Sequence, residues 1–197
     1  LHGNQDIRKE MQAIKTAALS APVKKIKLDL PVPEMAGSMG QNQHMMHGDG
    51  QMMQNSQMPE GKDTGPIEWE DTMAMMNAMS NSKAVKWKIV DEETKLENMK
   101  IDWNFKVGDK VRIEIFNDPK SFHPMQHPIH FHGQRFVVLS RNGTPNPNLV
   151  WKDTVLVGKG EKIEILLDIT NPGEWMAHCH IPEHMESGMM MTFNVKP

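Results

Sequence analysis

The single cysteine of this 197-residue chain lies in the tripeptide His178-Cys179-His180. His184 and Met189 follow it, each separated from the preceding donor by four residues, so a thiol, an imidazole and a thioether lie close together along the chain. A lone cysteine forms no disulfide within its own chain. Two histidines, a cysteine and a distant axial methionine are the ligands of a blue-copper centre. The sequence therefore predicts such a centre, provided that another segment supplies the second histidine.

The upstream heptapeptide HPIHFHG supplies three candidate histidines, His127, His130 and His132. Side chains of a strand alternate between its two faces, so His130 and His132 share a face and His127 has the opposite parity. By the same rule the two histidines beside Cys179 point away from it. We therefore predict that four imidazoles converge at a half-exposed edge of the domain, on the far side from the blue copper: His130, His132, His178 and His180.

The motifs HPIHFHG and HCHIPEHMESGM resemble the third and fourth copper motifs of the multicopper oxidases, the laccase family. The resemblance covers residues 67–197 and identifies them with the C-terminal, third cupredoxin domain of a bacterial laccase-like enzyme. It implies catalytic roles for Cys179, His178 and His180. The metal ligands that it implies are His127, Cys179, His184 and axial Met189 for type 1 copper, His130 for type 2 copper, and His132, His178 and His180 for type 3 copper.

The resemblance also implies that half of a copper cluster is missing. The trinuclear cluster of this family needs eight histidines, half of them from HxHG and HxH motifs of the first domain, a pair that this chain does not carry beside its own HFHG and HCH. We expect another domain or chain to complete the cluster, and the isolated chain to be inactive in oxygen reduction. The complete enzyme would oxidise phenols, amines or Cu(I) and reduce oxygen to water. The alternative is a lone blue-copper electron-transfer or copper-binding module, which would need Cys179 but not both flanking histidines.

Two further residues precede the first copper motif. His123 and Met125 occupy positions that, in similar copper-efflux oxidases, lie near the entry to the type 1 site, which suggests contact with a reductant or with Cu(I). The alternative is an ordinary loop, with the His123 imidazole solvated or locally hydrogen-bonded. Asp153 is interpreted either as a carboxylate that hydrogen-bonds to a metal-binding residue or as a solvated charge at a strand end.

Charge and composition exclude some partners. The net charge is −3 and the pI is about 6.4, so neither nucleic acid nor an anionic membrane surface is indicated. No apolar run reaches the length of a membrane span. The resemblance implies a periplasmic, cell-envelope or extracellular location.

The chain divides into three parts by composition. Residues 1–30 predict a helix over Asp6–Ser20 and a strand over Ile26–Leu30. This segment is either the tail of a preceding domain or an arm that packs on its own domain. Residues 31–66 form a flexible linker rich in methionine. Its thioethers and imidazoles either recruit Cu(I) or belong to a simple tether: Met35, Met39, Met45, Met46, Met52, Met53, Met58, His44 and His47.

Residues 67–197 predict an all-β domain. After a short helix over Trp69–Met79, seven or eight short strands with alternating apolar residues are separated by turn sequences such as Asn171-Pro-Gly. Such spacing indicates a β-sandwich or barrel, which the resemblance narrows to a cupredoxin-like Greek-key domain.

Overall fold

The computed structural model describes residues 5–31, 67 and 85–197. The methionine-rich linker after Pro31 and the helix predicted over Trp69–Met79 lie outside the described residues, as do His2, His44 and His47.

The described residues form a mostly β structure in two sheets, which confirms the predicted fold class. The elements are α1 (Gln5–Ser20), β1 (Val23–Asp29), β2 (Lys88–Asp91), a 3-10 turn (Asn98–Lys100), β3 (Trp103–Lys106), β4 (Lys110–Asn117), β5 (His127–Phe131), β6 (Arg135–Arg141), β7 (Thr144–Pro145), β8 (Thr154–Val157), β9 (Lys162–Asp168), β10 (Gly173–Cys179), α2 (Pro182–Glu186) and β11 (Met190–Lys196). No helix among them is long and apolar enough to cross a membrane.

The core lies between the two sheets. One sheet has the strand order β2-β1-β4-β9-β6-β7 and the other β3-β11-β10-β5-β8. Strand β4 shows why these segments form half-buried strands: Val111, Ile113 and Ile115 are buried, whereas the intervening Arg112 and Glu114 are half-buried. The two apolar faces therefore pack on each other as in a β-sandwich.

The N-terminal segment packs on this same domain. Strand β1 pairs in parallel with β4 and antiparallel with β2, inside the first sheet. Helix α1 lies against that sheet through Ile14, which clusters with Val137 and Leu166 apart from the main core. The indole nitrogen of Trp151 donates a hydrogen bond of 2.8 Å to Glu10. Continuity of this segment with a preceding domain stays a prediction.

The second sheet brings the two copper motifs together. Strand β5 carries HPIHF and pairs antiparallel with β10, which ends at Cys179. In this register His178 faces His130 and Cys179 faces Ile129. Neighbouring strands are only about 5 Å apart, so the histidines of both motifs lie within reach of one another.

Candidate metal centre

Three predicted type 1 ligands meet in the interior. His127 begins β5, Cys179 ends β10 and His184 lies in α2, and all three are buried. One ligand atom from each lies within 4.8 Å of the others. The two Nδ1 atoms are 3.1 Å apart, and Sγ of Cys179 lies 3.8 Å from Nδ1 of His127 and 3.6 Å from Nδ1 of His184. These residues are candidate ligands for one metal ion.

The loop after Cys179 folds back because it contains one short helix. Pro182 begins α2, where a missing N–H costs nothing, and the carbonyl of Ile181 accepts hydrogen bonds from the N–H groups of His184 and Met185. Met189 then returns to the site. Its N–H donates to the His184 carbonyl at 2.9 Å, and its carbonyl accepts from the Cys179 N–H at 3.0 Å. Met189 is fully buried beside both ligands.

Burial keeps these donors neutral. It raises the pKa of the Cys179 thiol to about 12, against the smaller lowering effect of a backbone hydrogen bond from Ile181. It lowers the pKa of His184 to about 4 and that of His127 well below the ordinary histidine value, and neighbouring imidazoles lower both further. The imidazoles are thus already in the form that binds metal, and metal binding must displace one proton from the thiol. A thiolate with two imidazoles and a thioether alongside fits copper.

The four remaining histidines of the two motifs also converge. The ring centroids of His130 and His132 are 4.7 Å apart, and His178 lies 5.0 Å from His132 and 5.6 Å from His180. His178 is buried, His130 is half-buried, and His132 and His180 are exposed. The imidazoles therefore form a cluster at an accessible edge of the second sheet.

Hydrogen bonds orient two of these rings. Nδ1 of His130 lies 3.0 Å from the Asp153 carbonyl and 3.0 Å from the Thr154 hydroxyl. Nδ1 of His178 lies 2.8 Å from the Cys179 carbonyl, and its Nε2 lies 2.9 Å from Nε2 of His132. In His178 it is therefore Nε2, and not Nδ1, that faces the next imidazole, His132. The Asp153 carboxylate is 3.9 Å from Nδ1 of His130 and mostly exposed, so its carbonyl makes the closer contact.

Comparison with known proteins decides the family. A family model described as "Multicopper oxidase" matches residues 68–197. The chain belongs to the multicopper oxidase family. Copper is the metal that this family implies.

Curated relatives are similar over about half of this chain. It is 39% identical over 98 residues to the multicopper oxidase mco of Staphylococcus epidermidis, covering 49% of this chain and 22% of that protein. It is 33% identical over 117 residues to the oxidoreductase tpcJ of Aspergillus fumigatus, covering 51% of this chain and 19% of that one. The chain thus spans about a fifth of the length of the relatives that it matches.

Solved structures show the same fold. The multicopper oxidase from Campylobacter jejuni is 22% identical, with a TM-score of 0.56, over 89% of this chain and 30% of that one. This likeness supports the cupredoxin-like architecture of the chain.

The two residues before the first motif of this multicopper oxidase chain differ in exposure. His123 is only 1% exposed and lies edge-on to Trp87, so its interpretation as a solvated group is wrong. Met125 is half-buried against the core, and its carbonyl accepts a 2.7 Å hydrogen bond from the Asn117 side chain. Their contact with a reductant or with Cu(I) stays a prediction.

Sequence reasoning missed two residues of this multicopper oxidase chain that contact candidate ligands. Trp87 stacks on His184, and Thr154 lies beside His130. Trp87 reads in the sequence as one apolar position of a strand, and Thr154 as a strand residue. No local pattern signals either contact, since each joins segments far apart in the chain.

Proposed function

We propose that this chain supplies the type 1 copper site and half of the trinuclear cluster ligands of a laccase-like oxidase. The observation that carries the proposal is that strand β10, with the residue that follows it, serves two groups of donors. Cys179 lies with His127 and His184 in the interior, whereas His178 and His180 lie with His130 and His132 at the edge. A lone blue-copper module would need only the first group.

In the interior group, His127, Cys179, His184 and Met189 would hold the type 1 copper. That metal would supply one-electron exchange with a reductant. The residues exclude water from the site, because all four side chains are buried. The thiol of Cys179 gives up its proton when the metal binds.

Cys179 also links the two groups. It is covalently bonded to His178 and His180, so the backbone of the tripeptide is the shortest covalent path from the interior donors to the edge. A hydrogen bond between the Cys179 carbonyl and Nδ1 of His178, 2.8 Å long, adds a second connection. This shared strand explains why a thiolate ligand stands between two imidazole ligands.

At the edge, His130 is the type 2 ligand and His132, His178 and His180 are the type 3 ligands. Four imidazoles do not complete the cluster, so a domain that carries HxHG and HxH docks at this edge and adds the others. The complete enzyme oxidises phenols, amines or Cu(I) and reduces oxygen to water, outside the cytoplasm. The incomplete coverage of the relatives supports a further domain.

The colour of the copper-loaded chain tests the type 1 assignment. Loaded with Cu(II), the chain should show the intense visible band of a copper–thiolate bond, and Cys179→Ser should lose it because the hydroxyl is no substitute for the thiolate. His132→Gln is the matched control, since it changes the edge group alone and should stay blue. A blue Cys179→Ser variant would refute the assignment.

A further inference from the structure

One aromatic residue contacts both interior histidines. The indole of Trp87 stacks on His184, with ring centroids 4.1 Å apart and planes inclined by 30°. It meets His127 edge-on, with centroids 4.9 Å apart and planes inclined by 72°. Trp87 is 1% exposed and has no metal-ligating atom. We infer that Trp87 is a positioning residue that sets the ring orientation of His184 in the type 1 site, an inference that rests on the function proposed above.

The backbone of Trp87 is fixed to the ligand loop. Its N–H donates a 3.2 Å hydrogen bond to the carbonyl of Ser187, which lies between His184 and Met189. Its carbonyl accepts a 3.0 Å hydrogen bond from the Asn98 side chain. The Asn98 side-chain oxygen in turn accepts from the Ile89 N–H at 2.7 Å. Both backbone groups of Trp87 are thus hydrogen-bonded, one to the ligand loop and one to Asn98, and these bonds fix the backbone from which the indole extends.

His184 needs such a support. Histidine ligands of metals usually donate their second ring nitrogen to a fixed acceptor, and this contact orients the ring. Nδ1 of His184 faces Cys179 and His127. The contacts of His184 within residues 85–197 are made through Nδ1 and through the face of the ring. Stacking on the flat face of the indole orients the ring in place of such an acceptor, because a stacked ring limits rotation of the imidazole about its bond to Cβ.

The two histidines therefore depend on Trp87 to different degrees. The stacked contact constrains the plane of the His184 ring, whereas the edge contact on His127 leaves that ring plane less restricted. His127 is also held within strand β5, which pairs with β8 and β10. His184 lies in a helix of five residues and has less support from its own element. Loss of the indole should thus affect His184 first.

Copper titration of three variants tests the inference. Trp87→Met keeps an apolar side chain without a flat ring, and Trp87→Phe keeps a smaller ring. Trp151→Phe is the control, because Trp151 lies beside α1 and β6 and contacts no candidate ligand. We expect Trp87→Met to weaken Cu(II) affinity about tenfold, the lower range for loss of an outer contact, and to shift the copper EPR spectrum and reduction potential. Trp87→Phe should lie between wild type and Trp87→Met, and Trp151→Phe should match wild type.

The outcomes separate this inference from the proposed function. A colourless wild-type chain would refute the type 1 site itself. A blue wild type with a folded Trp87→Met of unchanged affinity, EPR spectrum and potential would refute the positioning role alone. If Trp87→Met does not fold, NMR of the Cu(I)-loaded wild type decides, because a stacked indole shifts the His184 ring protons upfield. Ordinary shifts for these protons would overturn the inference.

Discussion

At the scale of single residues, the glycines of the two copper motifs are required by their neighbours. Gly133 has a φ of +66°, and a Cβ there would overlap the indole of Trp175. Gly188 has a φ of +115°, and a Cβ there would lie 3.0 Å from Asn98 Nδ2 and 3.2 Å from the Trp87 carbonyl. Each glycine follows or precedes a predicted ligand, so these close contacts hold the ligand segments in place.

Gly133→Ala should destabilise the fold beyond the cost of its backbone angle. An alanine with positive φ costs about 1–2 kcal/mol, and displacement of Trp175 adds about 1–3 kcal/mol for overpacking. Urea unfolding of the copper-free protein measures the sum. Gly143→Ala is a matched control, because Gly143 also has a positive φ, +77°, but nothing lies within 4 Å of its Cβ position. Equal losses of unfolding free energy in both variants would show that contact with Trp175 does not disfavour a side chain at position 133.

At the scale of elements, one buried carboxylate joins the strands beside the ligand loop. Asp91 ends β2 and is 1% exposed. It accepts hydrogen bonds from the Trp103 indole of β3 at 2.8 Å and from the N–H groups of Glu93 and Thr94 at 2.8 and 3.2 Å. Burial opposes its ionisation, but these hydrogen bonds outweigh it and hold the pKa of Asp91 below the ordinary value of 3.8. The charged carboxylate therefore stabilises this corner of the fold.

Asp91→Asn should reduce stability near neutral pH by about 1–2 kcal/mol, because hydrogen bonds to a charged group are stronger than those to a neutral one. The folded pKa lies below the unfolded one, so this contribution is present above the unfolded pKa and is lost as pH falls through the folded pKa. The difference between wild type and variant should thus shrink below pH 3.8. Unfolding curves at neutral pH and below pH 3.8 measure the difference in stability between wild type and variant. A difference that grows in acid would contradict a lowered pKa of Asp91. Asp102→Asn is the control, since Asp102 is exposed.

At the scale of the whole molecule, the chain presents a cluster of four imidazoles at one edge of its second sheet. The four edge imidazoles contact one another, with neighbouring ring centroids from 4.7 to 5.8 Å apart. Two of them are exposed, and none belongs to the apolar core. A cluster that is partly exposed in this way fits the proposal that another domain docks at this edge.

The isolated chain should therefore bind copper without sustained oxygen reduction. Oxygen uptake with a phenolic donor after copper loading measures this, and uptake should begin only when a domain carrying HxHG and HxH is added. In that mixture His180→Ala should lose the uptake and keep the blue band. Four-electron turnover by the 197-residue chain alone would show that its four edge histidines suffice and that no second domain is needed.

Much of the site followed from the sequence because its signals are local. Strand alternation depends only on the neighbouring residues, and it placed Cys179 on one face and the histidines beside it on the other. Fold class and the composition of both donor groups were thus predicted without tertiary information, from strand alternation together with the resemblance to multicopper oxidases.

Tertiary structure decided what depends on segments distant in the chain. Helix α2 has five residues, too few to show a helical period, and strand β3 has only four. The parallel pairing of β1 with β4 placed the N-terminal arm in the first sheet, which the sequence left open. The stack of Trp87 on His184 joins two segments with no shared pattern. Such contacts come from packing around a common core. The free energy of burial depends on the apolar area removed from water and on close packing, whatever the order of the residues along the chain.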